Sequence, residues 1–462
     1  MPIQILGKNE RVFVTSTKKA LKLGLVGNIA NNFSREAVLL SRDQFIRPTC
    51  FIFSNEDEVH AGTPASDAVD VDDPSASELY HYAGPFNPWW LIYLLLPRTL
   101  RPIFPQRLQN ILSRLNRFDL CVYSGLEIPI LSHVDAPGLI RATGSDLTVL
   151  PVLTWKEAHA LGHAGSGLKG RISYLILQQA FRRGYGRAKG ISYTPARPYL
   201  DALEALPERL RPPTAIRIPL GIDQRVFRKL GSLNATQLHN IDFKSKFIVF
   251  FPSRYVSTAS EVAKHTGDWK ASHVGLEGFA NFLMRLDTSA RQKAILLIPY
   301  RDIGRETSLL DTKAARTLVE ELGLTENVVW IKGEDPSGLT RREMIPLYSS
   351  AHATLDDFGV GWYGSVALEA LSCESAVITY VKPEVLPNPK DNPFLVAQTA
   401  EEVAEHLHKL FLEPDYGTRF GLARRSWVAK YHAESTVPSA YNSLIRWVFS
   451  NSPLKKNRWK LS

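Results

Sequence analysis

The residues best suited to chemistry come in two groups. The first is a pair of cations. A short apolar run, Phe247 to Phe251, ends in Pro252-Ser253-Arg254, and Lys270 follows a polar loop at the head of the next helical stretch. Two fixed cations beyond a strand can hold a diphosphate and stabilise the charge that builds on a phosphate leaving group, without a metal ion. The second group is the segment LDDFGVGWYGSVALEAL, from Leu355 to Leu371. A strand there runs into a glycine-rich loop that opens a helix. Glycines let the backbone approach a ligand closely, and helix-start amides attract phosphate. Glu369 lies a little over one helical turn beyond Gly364, on an otherwise apolar helix. A carboxylate there can accept hydrogen bonds from both hydroxyls of a ribose. Each pattern also has a plainer explanation: Arg254 and Lys270 as surface cations, the glycines as turn residues, Glu369 as a capping or salt-bridged acid.

The elements that must position these groups alternate between short apolar runs and helical stretches. Lys22 to Val26 reads as a buried strand leading into Gly27-Asn28-Ile29-Ala30-Asn31-Asn32-Phe33, with a helix from about 34 to 41. Further strands are expected at Leu120–Tyr123, Leu139–Arg141, Ile191–Thr194 and Ile216–Leu220, with a basic helix at 171–188. Residues 55–78 read as an acidic loop, and the polar stretch 228–245 as a linker. The alternation then restarts. Strands are expected at 247–251, 294–298, 327–331, 353–355 and 376–380, and helices at 272–286, 311–322, 340–350, 364–372, 400–412, 416–431 and 437–449. Strands and helices alternating at this spacing imply doubly wound parallel sheets, and the series occurs twice. The expected fold is α/β, two Rossmann-like domains with parallel sheets facing across a cleft. Residues 1–230 would form the N-terminal domain and 231–436 the C-terminal one. Residues 437–462 would be a helix and basic tail packing back on the first.

Composition fits a globular chain, at 44% hydrophobic and 22% charged. The net charge of +9 favours anionic partners such as phosphate-bearing ligands, an anionic membrane surface or nucleic acid. Cys50, Cys121 and Cys373 are odd in number, far apart and flanked by apolar residues. They suit buried free thiols in a reducing compartment better than a disulfide framework or zinc site. The N-terminal residues lack the apolar core of a signal peptide, and the longest apolar run, Trp89 to Leu96, is too short to span a bilayer. A cytoplasmic protein is expected.

Three other patterns carry less weight. Asp70-Val71-Asp72-Asp73 contains a D-x-D but sits in a Ser/Pro-rich loop and reads as a solvated acidic loop. Glu157, His159 and His163 have a metal-like histidine spacing without the H-E-x-x-H pattern, so no metal site is expected. Residues 87–98, followed by basic residues to Arg117, combine aromatics, leucines and arginines that suit a membrane interface. Pro97, Pro102 and Pro105 break any long amphipathic helix there, which favours a core helix followed by a surface helix.

Taken in order, these motifs resemble those of the family 4 retaining glycosyltransferases of the GT-B fold. Residues 22–32 look like the family's first strand and glycine loop. Arg217-Ile218-Pro219-Leu220-Gly221-Ile222-Asp223, with Phe227, looks like its "PLGID…F" segment. Pro252-Ser253-Arg254 and Trp269-Lys270 look like its donor-phosphate Arg and Lys, and Gly361 to Glu369 like its E-x7-E motif. The likeness spans most of residues 20–450 and is strongest in the C-terminal half. It implies that Arg254 and Lys270 bind a donor diphosphate and Glu369 the donor ribose. It places Tyr363, Gly364 and Ser365 amides on phosphate and sugar, and Lys332 and Gly333 beside the base. Gly27, Asn28 and Asn31, with Gly144 and Asp146, would line the acceptor side. The donor would be a nucleoside-diphosphate sugar, with no cofactor or metal. The acceptor would be a glycan or lipid-linked saccharide in an envelope polysaccharide pathway, with peripheral membrane contact and no nucleic acid. Two residues depart from the family: Gly361 stands where it has its first Glu, and Thr143 where it has a catalytic His. Asp356 or Asp357 is then expected to replace the first Glu. The departures leave two alternatives, a sugar-nucleotide epimerase of the same fold and an inactive sugar-nucleotide-binding protein.

Overall fold

The structure, a computed structural model, describes residues 20–27, 32–53, 79–193, 196–215, 217–230, 245–253, 255, 270–300, 312–333 and 339–450. The chain divides into two compact units. Unit 1 holds the chain up to Pro219 and again from Ser435; unit 2 runs from Leu220 to Glu434.

Unit 1 is built on a six-stranded sheet. Its strands are β1 (Leu21–Val26), β2 (Ile46–Ile52), β3 (Tyr80–Tyr82), β4 (Leu120–Tyr123), β5 (Gly138–Arg141) and β6 (Gly190–Ser192), in the order β3-β2-β1-β4-β5-β6. Every pairing is parallel. Such a sheet is covered on both faces, so its strands read as nearly continuous apolar runs. β4, Leu-Cys-Val-Tyr, is buried at all four positions. Helix α1 (Asn32–Ser41) returns the chain from β1 to β2, and the long helix α2 (Gly167–Tyr185) precedes β6.

Unit 2 repeats the plan. Its strands are β7 (Phe247–Phe250), β8 (Ala294–Tyr300), β9 (Val328–Lys332), β10 (Ala353–Leu355), β11 (Ala376–Thr379) and β12 (Leu395–Val396), in the order β12-β11-β10-β7-β8-β9, all parallel. β7, Phe-Ile-Val-Phe, is wholly buried. Helices α3 (Ser272–Met284), α4 (Arg341–Ser350) and α5 (Ser365–Ser372) carry or face the candidate site. α4 starts at a capping box, in which the Thr340 side chain takes the Glu343 amide and Glu343 returns to the Thr340 amide.

The last helix, α6 (Thr436–Ser450), belongs to unit 1. Val437, Tyr441, Leu444 and Val448 enter the same core as β1, β2 and α1. The Tyr441 hydroxyl donates to Glu36 of α1, and Asn442 donates to Asp43 at 2.9 Å.

Three features differ from the sequence expectation. Residues 217–220 form no strand. Ala215 makes a single bridge to Ile191, and the backbone of Ile218 is satisfied by side chains instead, donating to Ser192 Oγ and accepting from Arg141. Strand β2 was hidden by Pro48, a residue that argues against an interior strand. It pairs with Leu23 in register, and the flanking Ile46, Cys50 and Ile52 supply the burial that keeps the strand in place. The unit boundary also falls before the Leu220–Asp223 segment, where the sequence suggests about 230. This segment is tied to unit 2 by the Ile222 amide on His432 O at 2.9 Å and by Gln224 on Arg425 O at 2.9 Å.

Candidate functional site

In a sheet of this order the strand sequence reverses between β7 and β10, and ligands bind beyond the carboxyl ends at such a reversal. The groups found there in unit 2 are interlocked. The Ser253 hydroxyl, just past β7, donates to Asp356, just past β10. Lys270, immediately before α3, places Nζ 3.1 Å from Asp357 Oδ2. The other Asp357 oxygen accepts the amides of Gly359 (2.9 Å) and Val360 (3.3 Å). Its backbone carbonyl accepts from Thr379 Oγ1 and the Tyr380 amide. The loop 357–364 is thereby pinned at its start to three segments. Burial pushes the Asp356 carboxyl above the usual range. Lys270 opposes that shift, Asp357 reinforces it, the Ser253 hydrogen bond opposes it, and Glu369 adds to it. The charges of Lys270, Asp357 and Glu369 thus all reach Asp356.

The middle of the loop turns at Gly361, whose φ of +84° lies in the region that favours glycine. A side chain there would also collide with Lys382, whose Cγ, Cδ and Cε lie 2.7–3.0 Å from the Cβ position. Near the loop's end, the Tyr363 hydroxyl and His432 Nε2 are 3.1 Å apart, and the ring packs among Phe394, Trp427 and His432. Its side chain is committed to the interior, and only its backbone can meet a ligand. Gly364 then precedes α5 with open space beside it: an added Cβ would meet nothing within 4 Å. No side chain caps the helix at Gly364.

Glu369 lies one turn further along α5 and is 2% exposed. Its carboxylate is held from α4, by Arg341 Nε at 3.6 Å and the Tyr348 hydroxyl at 3.4 Å. Burial, then the charges of Glu369 and Asp356, push the Tyr348 phenol well above its ordinary range, so it remains a donor.

The structure brings Lys270, Tyr363, Gly364, Ser365 and Glu369 to one loop and helix start. Arg254 and Trp269 lie outside the described residues. Lys332 and Gly333 end β9, at the far edge of the sheet, with β7 and β8 between β9 and β10. There the Lys332 ammonium stacks 5.0 Å from the Tyr300 ring centroid. Asp356 and Asp357, the candidates to replace the first Glu, are both buried and engaged in holding the loop.

Unit 1 has its own reversal between β1 and β4. Gly27, with φ +92°, ends β1 there, and a Cβ would lie 2.4 Å from Ser124 O and 2.7 Å from Glu127 Oε2. Ser124 Oγ and Thr143 Oγ1 are 3.3 Å apart. Asp146 is buried and accepts the amides of Gly125, Thr143 and Gly144, so it joins the end of β4 to the end of β5. Burial raises its carboxyl, and those amides oppose the rise. Asn28 and Asn31 lie outside the described residues. Sequence reasoning missed Ser124 and Glu127. Glu127 is a buried acid in the otherwise apolar run Leu126–Leu131, and that isolation was the available signal.

Glu157 serves in the capping box with Thr154, and His159 stacks on Trp155 with Nδ1 2.8 Å from Ala164 O. The acidic run 70–73 lies outside the described residues. In the 87–98 segment, Trp90, Leu91 and Leu94 enter the core, while Trp89 is 71% exposed, as are Ile92 and, further on, Leu100 and Ile103 in lesser degree. All three cysteines are buried free thiols. Among the described residues no helix is long and apolar enough to cross a membrane.

No family model and no curated protein sequence matches this chain. Solved structures do. HepE of Anabaena, in complex with UDP and glucose, aligns over 92% of this chain and 100% of its own, with a TM-score of 0.61 and 10% identity. Sucrose-phosphate synthase of Thermosynechococcus elongatus aligns over 94% and 100%, with a TM-score of 0.59 and 15% identity. WaaG, a glycosyltransferase involved in lipopolysaccharide biosynthesis, aligns over 92% and 99%, with a TM-score of 0.51 and 14% identity. These likenesses, together with the two six-stranded parallel sheets, define the fold as GT-B.

Proposed function

We propose that the chain is a glycosyltransferase that takes a sugar from a nucleoside-diphosphate sugar bound by unit 2. The observation that carries this reading is the convergence of Lys270, the start of α5 with open space beside Gly364, and the buried Glu369 at the strand reversal of unit 2. A diphosphate suits the ammonium and the helix-start amides, and Glu369 suits the ribose hydroxyls. The structures it resembles were solved with UDP, UDP and glucose, or UDP-glucose in the case of HepE, which favours the same donor class.

In this reading the reaction is retaining and needs no metal. The acceptor oxygen attacks C1 on the face the diphosphate leaves. The C1–O bond to phosphate breaks as the new C1–O bond forms, and the acceptor proton passes to the departing phosphate. Lys270, with Arg254, stabilises the charge that accumulates on it. Unit 1 receives the acceptor at Gly27, Ser124, Glu127 and Thr143. A lipid-linked saccharide fits best, because unit 1 exposes Trp89 and, on one face of α2, Leu168, Ile172 and Leu175 beside Lys169 and Arg171. Co-sedimentation with anionic vesicles tests that contact.

Thermal-shift screening against UDP, GDP, ADP, CDP and dTDP, followed by release of nucleotide from the matching sugar donors, tests the function. A nucleoside diphosphate should stabilise the native protein. Failure of all five would remove the reading. Sugar conversion without an acceptor would point to epimerisation instead.

A further inference from the structure

The proposed donor site holds a further cation, Lys382, besides Lys270 and Arg254. Lys382 follows β11, and its amide donates to Gly361 O at 3.0 Å. Its aliphatic stem lies across Gly361, with Cδ and Cε both 3.0 Å from that residue's Cβ position. The ammonium is one bond beyond Cε, so it too lies at the loop that leads into α5. It is half-buried, and among the described residues its ammonium meets no carboxylate. Lys270 differs in this respect, since Asp357 balances its charge at 3.1 Å. The two acids of the loop are likewise engaged, Asp356 by Ser253 and Asp357 by Lys270 and two amides. Among the described residues, the charge of this loop that has no opposite partner is therefore positive. Gly361 is the slot that makes it so: its left-handed backbone excludes a side chain, and the missing side chain leaves room for the lysine stem.

We infer that Lys382 forms an anion subsite of the donor, holding a negatively charged group laid against residues 361–365. That group is either a phosphate of the diphosphate or a carboxylate on the sugar. This inference rests on the donor reading of unit 2. An ammonium without a counter-charge among the described residues is attractive to either anion, because a charge-assisted hydrogen bond is about twice as strong as a neutral one. If the anion is on the sugar, the donor is a hexuronate or similarly acidic sugar nucleotide.

The test is isothermal titration of the full chain and two variants. Lys382→Met keeps the stem over Gly361 and removes the charge, and Lys382→Arg restores a cation. The ligands are UDP, UDP-glucose and UDP-glucuronate, or the same three forms of whichever base binds in the thermal-shift screen. The expected loss in Lys382→Met is about ten-fold, on the order of one charge-assisted hydrogen bond. Lys382→Arg should recover part of it. An equal loss for all three ligands assigns the phosphate. A loss confined to the glucuronate assigns the sugar carboxylate. Unchanged affinity for all three, with an unchanged melting temperature, overturns the inference. Lys270→Met separates the two levels of failure. If it weakens every ligand while Lys382→Met weakens none, only the Lys382 subsite is lost. If neither variant matters, the donor site itself is misplaced.

Discussion

The two units share one topology and differ in the groups at its reversal point. In unit 1 the strand ends at β1, β4 and β5 present Gly27, the hydroxyls of Ser124 and Thr143, and the carboxylate of Glu127. In unit 2 the ends at β7 and β10 present Ser253, Lys270 and an acid pair turned inward to hold a loop, with Lys382 across that loop. The sheet order brings the same positions together in both, and sequence alone decides the charge. Cations and uncapped helix amides suit a polyanion; hydroxyls and one carboxylate suit a polyol. In the proposed reading the same architecture supplies a donor half and an acceptor half, told apart by the sign of charge at equivalent places.

Removing the cation of unit 2 should have the largest effect. Lys270→Met is expected to lower nucleotide release from the sugar donor by roughly 100-fold or more, the scale seen when one preorganised charge-stabilising donor is removed. Steady-state kinetics beside a melting curve checks it. An unimpaired rate in a folded variant would erase the distinction between the halves. On the other side, Glu127→Gln is expected to raise the acceptor KM or lower kcat by about ten-fold, the worth of one hydrogen bond to a charged group. Its affinity for nucleoside diphosphate, measured by titration, should not move. A loss of nucleotide affinity in that variant would mean that Glu127 serves the donor and that the two halves do not divide the work.

Unit 2 was the more legible half. Its strands are continuous apolar runs, and the glycine loop, Lys270 and Glu369 are set out in chain order around them. What stayed hidden was geometric. Nothing in the spacing shows that Asp356 and Asp357 point inward, because that depends on Ser253 and Lys270, which lie about 90 to 100 residues earlier in the chain. Lys382 was invisible for the same reason, since its link to Gly361 exists only once β10 and β11 are paired. Unit 1 was harder to read. Pro48 masks β2, β3 is only three residues long, and Glu127 sits on a 3₁₀ turn with no helical or strand period to announce it.

Gly361 joins the two levels, and Gly361→Ala sharpens the comparison from the unit 2 side. Forcing a side chain into φ +84° and against the Lys382 stem should destabilise unit 2 by about 2 kcal/mol. Urea denaturation followed by hydrogen exchange of β10 and β11 peptides would register it. Gly144→Ala in unit 1 has open space around its Cβ position, with no neighbour for the methyl to displace, and should cost less. Equal losses in both variants would show that the Gly361 loop is no more constrained than its counterpart.

The smallest expected effect is the share of the pH response that originates at His133 in unit 1. His133 closes the turn that carries Glu127, with Nε2 3.1 Å from Leu94 O. Burial pulls its pKa from 6.5 down to about 4; the Leu94 carbonyl opposes that fall, and Arg101, Arg98 and Arg183 add to it. The native state therefore stays neutral at a pH where the unfolded chain has taken up a proton. Because the unfolded state binds more protons across that window, stability is complete above pH 6.5 and declines as pH falls from 6.5 toward 4. From pH 7 to 5.5 the loss due to this one group should be about 1 kcal/mol. His133→Gln keeps a donor for the Leu94 carbonyl and cannot titrate, so it should lose that much less than the wild type over the same interval. Hydrogen exchange at the two pH values, corrected for the intrinsic rate, should show the difference in peptides from β4 and the 125–133 turn and not in those from β10 and α5. A difference of the same size in unit 2, or none at all, would mean that the acid response does not originate at His133.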